Sequence, residues 1–120
     1  MRMRTVAAVL LVPVVLAAQQ AVLPLRLLFV GESDQAGRSA EFAAFLGQRF
    51  TAVSTTTHGG FERAQLDGVD VVLLDWHQNG QAERAPCPLG DFAGWNKPMV
   101  LLGSAGLNLA IAWDVFGGVG

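Results

Sequence analysis

Lys97-Pro98-Met99-Val100-Leu101-Leu102-Gly103-Ser104-Ala105-Gly106-Leu107-Asn108-Leu109-Ala110 decides how this chain folds. Met99 to Leu102 is an uninterrupted apolar run and reads as a buried strand. Gly103 and Gly106 bracket Ser104 and Ala105, so the backbone can bend sharply and a helix can pack close to the strand. That helix predicts a buried stripe of Leu107, Ala110, Ile111 and Val115, with Trp113 and Phe116 nearby. A strand, a tight glycine turn and a helix expose backbone N–H groups where a ligand or an oxyanion can sit.

The same grammar repeats upstream. Leu25 to Val30 is a first strand, followed by the polar turn Gly31-Glu32-Ser33-Asp34, where Ser33 or Asp34 would cap the next helix. The helix spans about Gln35 to Arg49, with Phe42, Phe45, Leu46 and Phe50 as its buried face. Phe50 to Thr55 is a short β-branched strand. Phe61 to Leu66 leaves room only for a short helix that stops near Gly68. Val69 to Leu74 is apolar on both faces apart from Asp70, as in a parallel strand covered from both sides. Gln78 to Asn96 is an irregular segment of 19 residues, which reads as a lid or as the carrier of a short helix.

Four alternations of strand and helix, joined by connections too long for hairpins, predict a three-layer, flavodoxin-like α/β domain with an open parallel sheet of about four strands. Four strands are few for this class, and the chain stops where another strand is expected. The sequence therefore reads as a truncated domain or as one that completes its sheet with a partner.

The chain has 120 residues, enough for one domain. Met1-Arg2-Met3-Arg4 is a basic start, and Thr5 to Ala18 is an uncharged run of 14 residues ending in small side chains. This matches a signal peptide over residues 1–18, cleaved near Gln19, with residues 19–24 as a linker and residues 25–120 as the domain. The protein is then exported, to a periplasmic or extracellular destination. The run is shorter than the ~20 residues of a membrane-spanning helix and contains Pro13, so no stable membrane span is expected once it is removed. Without Arg2 and Arg4, six basic residues face ten acidic ones, a net charge of −4, and no basic stripe is present. Nucleic acid is not an expected partner. Cys87 is the single cysteine, which excludes an internal disulfide and a cysteine-rich zinc site.

Ligands of open parallel sheets bind beyond the carboxyl ends of the strands. That rule selects Gly31, Glu32 and Ser33 after the first strand, and Thr57 and His58 after the second. It selects Asp75, Trp76 and His77 after the third, and Gly103, Ser104 and Asn108 after the fourth. Asp75, His77 and Ser104 are the candidate catalytic residues, and Gly31, Glu32, Trp76, Gly103 and Asn108 the candidate ligand-binding ones. Ser104 lies in a partial G-x-S-x-G elbow with Leu102 where the first glycine belongs, and either His58 or His77 would be its base. Its structural alternative is to cap the following helix. Asp75 could be a general base, a metal ligand or a phosphoacceptor, or simply anchor its loop. With adjacent strands, a hard cation would bridge Asp75 and Glu32, but two carboxylates alone do not define a metal site. Trp76, Trp95 and Trp113 could stack on a sugar or a base, although packing in the core or rim is their commoner role.

Val69 to Leu74 with Asp75-Trp76-His77, and the elbow from Lys97 to Gly106, resemble the class I glutamine amidotransferase-like superfamily, including its ThuA-like members associated with sugar utilisation. The resemblance covers roughly residues 25–118. True amidotransferases place a cysteine at the elbow, whereas this chain has Ser104. ThuA-like members also lack that cysteine and are the closer comparison. The resemblance implies a small, carbohydrate-related ligand in a crevice formed by Glu32, Asp75, His77 and Ser104. A weaker resemblance is to response-regulator receiver domains, carried by Val71-Val72-Leu73-Leu74-Asp75-Trp76. Glu32, Asp75 and Ser104 are spaced by 43 and 29 residues, about as receivers space their acid, phosphoacceptor and hydroxyl. It departs from them in having no acidic pair beside Glu32 and no lysine after a fifth strand.

Overall fold

The computed structural model describes residues 21–77 and 86–115. Within them the chain forms a four-stranded, all-parallel sheet in the order β2-β1-β3-β4. The strands are β1 (Leu23–Gly31), β2 (Phe50–Thr57), β3 (Val71–Asp75) and β4 (Met99–Leu102). Helix α1 (Ala36–Gly47) follows β1, and α2 (Ala105–Ala112) follows β4. Short 3-10 turns, Ser33–Gln35 and Arg63–Leu66, complete the elements. This is the expected α/β architecture of a flavodoxin-like open sheet.

Alternation of side chains along the strands divides the core in two. Leu27, Phe29 and Leu73 point to the face covered by α1, where Leu46 is buried and Phe42 and Phe50 pack against them. Leu28, Val30, Val72 and Leu74 point to the other face, with Leu66, Leu89, Ala105 and Leu109. The central strands are buried on both sides because both are apolar throughout these segments, as in parallel sheets covered on both faces. Residue pairs Leu27↔Val71 to Val30↔Leu74 bring the carboxyl ends of β1 and β3 side by side.

The boundaries move in places. β1 starts at Leu23, within the expected linker, where Leu23 donates its N–H to the Arg49 carbonyl. β3 begins two residues late because Asp70 turns to the start of β1, its carboxylate accepting from Arg26 N–H at 2.8 Å. The expected short helix over Phe61 to Leu66 is a 3-10 turn closed by reciprocal Glu62 and Gln65 caps. Neither Ser33 nor Asp34 caps α1, which starts after Gln35 without a side-chain cap. The expected signal peptide over residues 1–18 lies outside the described residues, as does the 78–85 part of the expected lid. Among the described residues, no helix is long and apolar enough to cross a membrane.

Two buried stripes and one buried strand are corrected. β4, read as buried, is an edge strand with Val100 and Leu101 exposed. On α1, Phe45 faces outward with the Arg49 guanidinium 4.3 Å from its ring, while Leu46 is buried. On α2, Leu107 and Val115 are exposed, and Ala105 and Leu109 are the buried pair. Nearly every residue of α2 is apolar, so composition left its orientation to the sheet beneath it.

The segment before β4 is held by aromatic contacts. Trp95 and Trp113 lie 5.5 Å apart, with Phe61 and Phe92 at the two ends of the row. Their indole N–H groups donate to the carbonyls of Lys97 and Gly90. Trp95 and Trp113 thus anchor this loop against α2, the packing role anticipated for them. Cys87 is half-buried beside this cluster, and burial pushes its thiol above the usual range, away from the thiolate form.

Candidate functional site

The site is built around the three residues that follow the buried run of β3. Each of the free backbone groups of Asp75, Trp76 and His77 considered below is held by a side chain from a different strand end. His58, just beyond β2, places Nε2 2.8 Å from the Asp75 carbonyl oxygen. A carbonyl only accepts, so this nitrogen carries the proton. Ser104 Oγ and Asn108 Nδ2, at the start of α2, both donate to the Trp76 carbonyl, at 3.3 and 3.2 Å. Glu32, just beyond β1, accepts the His77 N–H at 2.7 Å. The His58 N–H in turn donates to the Gly31 carbonyl at 3.0 Å, tying β1 and β2 together at the same level.

The structure therefore gathers Gly31, Glu32, His58, Asp75, Trp76, His77, Ser104 and Asn108 along one rim, with Gly103 in the turn that leads into α2. Gly103 has φ 59°, the left-handed conformation that makes glycine the fitting residue there. Gly106 is helical, and a Cβ there would meet Leu101 at an ordinary 3.8 Å, so its smallness is not what brings helix to strand. Gly31 is different. A Cβ on it would overlap the Ser39 hydroxyl and stand 2.7 Å from the Phe29 ring, so the end of β1 passes directly beneath α1.

Individual roles differ from those the sequence implied. Ser104 is the N-cap residue of α2 but makes no side-chain cap, because its hydroxyl reaches Trp76 instead. The Trp76 ring is buried in the core with His58 edge-on at 6.3 Å, so the residue offers the rim its backbone rather than an open stacking surface. Asp75 is the buried acid among the described residues, and its side chain is 6% exposed. Its carboxylate is gripped by Arg38, with Nε to Oδ2 at 2.7 Å and a second contact to Oδ1 at 3.4 Å. That hydrogen bond, then the Asp75 charge, raises the Arg38 guanidinium above its ordinary value, and Glu32 adds to the effect. Among the described residues, no group of three His, Cys, Asp or Glu side chains is placed to hold a metal ion.

Arg38 is the site residue the sequence reading missed. One signal for it was available. It sits in the first turn of α1, where a cation opposes the helix dipole and so calls for an anionic partner. Three acidic residues lie at or near strand ends, and only the fold singles out Asp75.

No family model, curated protein or solved structure matches this chain.

Strand order locates the crevice. Connections leave β1 toward β2 on one side and β3 toward β4 on the other, so the sheet reverses its winding between β1 and β3. Open α/β sheets bind ligands at such a reversal. Here the ends of β1 and β3 bring Gly31 and Glu32 beside Asp75 and His77, with Arg38 paired to Asp75.

Proposed function

We propose that this chain is an exported, ThuA-like domain of the glutamine amidotransferase-like kind that binds a small, hydroxyl-rich ligand between the carboxyl ends of β1 and β3. The observation that carries the proposal is the convergence of Glu32, Arg38, Asp75 and His77 on the point where the sheet reverses. The charged and polar side chains gathered at this rim suit a polyol better than an apolar molecule. Export follows from the pattern of residues 1–18.

Binding without catalysis is favoured over the two chemical alternatives by where the reactive groups point. The Ser104 hydroxyl donates to the Trp76 carbonyl and His58 Nε2 to the Asp75 carbonyl, so both groups brace the loop after β3. The Asp75 carboxylate, which a phosphoacceptor would keep accessible, is buried in its ion pair with Arg38.

The test is a calorimetric or NMR screen of the full chain against monosaccharides, sugar acids and sugar phosphates. A ligand found in this way should lose binding in both D75A and H77A, and the protein recovered outside the cytoplasm should begin near Gln19. Unchanged affinity in the two variants would remove the proposal.

A further inference from the structure

We infer that the crevice takes a ligand bearing an anionic oxygen, a carboxylate or a phosphoryl group, which replaces the Glu32 carboxylate on the His77 N–H. This rests on the binding reading above and narrows its ligand class.

Glu32 is placed as the N-cap of the 3-10 turn Ser33–Gln35, yet its side chain makes no cap there. It crosses the crevice instead, to a backbone N–H 45 positions away in sequence. That N–H is solvent-accessible, so water would satisfy it without help from the protein. A carboxylate is a stronger acceptor than water, and a neutral hydroxyl would not readily displace it. An incoming anion can, because it offers the same acceptor chemistry.

The surroundings favour such an exchange. Arg38 is half-exposed at 49% and stays cationic, and Glu32 lies close enough to add to its hold on the proton. The rim thus presents one N–H held by the Glu32 carboxylate and one half-exposed guanidinium that Asp75 holds through Nε and Nη2. The other groups on this loop are committed elsewhere, the carbonyls of Asp75 and Trp76 being capped by His58, Ser104 and Asn108. Glu32 is the charged member of this set, and it is partly exposed. It acts as an internal stand-in for the ligand.

The experiment titrates inorganic phosphate and malonate into the isotope-labelled full chain and follows the amide signals of Glu32, Asp75 and His77. E32Q keeps an oxygen able to accept from His77 but removes the competing charge. Two unit charges about 4 Å apart in water differ from none by roughly a factor of five in binding, so E32Q should bind at least one probe about fivefold more tightly than the parent chain. R38M should weaken the same probe by about tenfold. A phosphate response assigns a phosphoryl ligand and a malonate response a carboxylate, and either supports the inference. If R38M fails to fold, the E32Q comparison decides alone. Equal or weaker binding of both probes by E32Q overturns the inference. If neutral sugars still shift Asp75 and His77 in that case, the broader binding reading survives. If nothing shifts them, both are lost.

Discussion

Phe29→Ala should cost about 3–5 kcal/mol of folding stability, the range for emptying an aromatic site in a packed core. Phe29 is fully buried near the carboxyl end of β1, one of the two central strands. Its ring stacks on Phe42 of α1 at 5.6 Å and 19°, and Arg38 lies over the other side of that contact, 5.1 Å from the Phe42 ring. Removing the ring leaves a cavity under α1 that the sheet cannot close, because the neighbouring strands fix its backbone on both sides. Native domains are stable by only about 5–15 kcal/mol, so the loss is a large share of the whole. Urea denaturation should show a lower midpoint at unchanged slope. A cost below about 1 kcal/mol would mean that α1 does not dock on β1 as described. The same variant should loosen the Arg38–Asp75 pair, since Phe42 helps to position the guanidinium.

The second large effect separates two leucines two positions apart, on opposite faces of α2. Leu109→Ala should cost about 2–5 kcal/mol, and Leu107→Ala no more than about 0.5 kcal/mol. Leu109 is 3% exposed within the core and Leu107 is 55% exposed. The sequence reading put Leu107 in the buried stripe and left Leu109 out, so the pair also tests the orientation of α2. Equal costs at both positions, or a larger one at Leu107, would restore the original stripe.

These two helices show what was legible and why. β3 and β4 could be read because each is a continuous apolar run closed by a polar or glycine turn. A run of that kind marks a strand in an alternating α/β pattern, but it does not separate the buried β3 from β4, whose edge position leaves Val100 and Leu101 exposed. The approximate positions of both helices could be read as well. Their rotation could not. Phe42, Phe45 and Leu46 all satisfy a helical repeat, and Arg49 gives Phe45 an alternative partner in solvent. In α2 the polar exception is Asn108, whose amide is drawn inward by the Trp76 carbonyl.

The rim was legible from a rule about strand ends, which selected His58, Asp75, Ser104 and Asn108 without knowing their partners. Their pairings were not, because a backbone carbonyl leaves no trace in a sequence. Ser104 looked like a nucleophile or a cap and is a brace for the loop after β3. Arg38 was passed over because it lies in the first turn of α1, away from the strand ends that the rule inspects.

The braces on the Asp75–His77 loop join residues 17, 28, 32 and 45 positions apart. None is local, so each must wait until the chain between its ends has been brought round, and closing such intervals is entropically costly before the strands pair. The crevice should consequently be the last feature to mature. During refolding, far-ultraviolet signal from the strands should recover ahead of hydrogen-exchange protection at the His77 amide, and simultaneous recovery would contradict this order. A nascent chain would then acquire its sheet first and the bracing of the Asp75–His77 loop last.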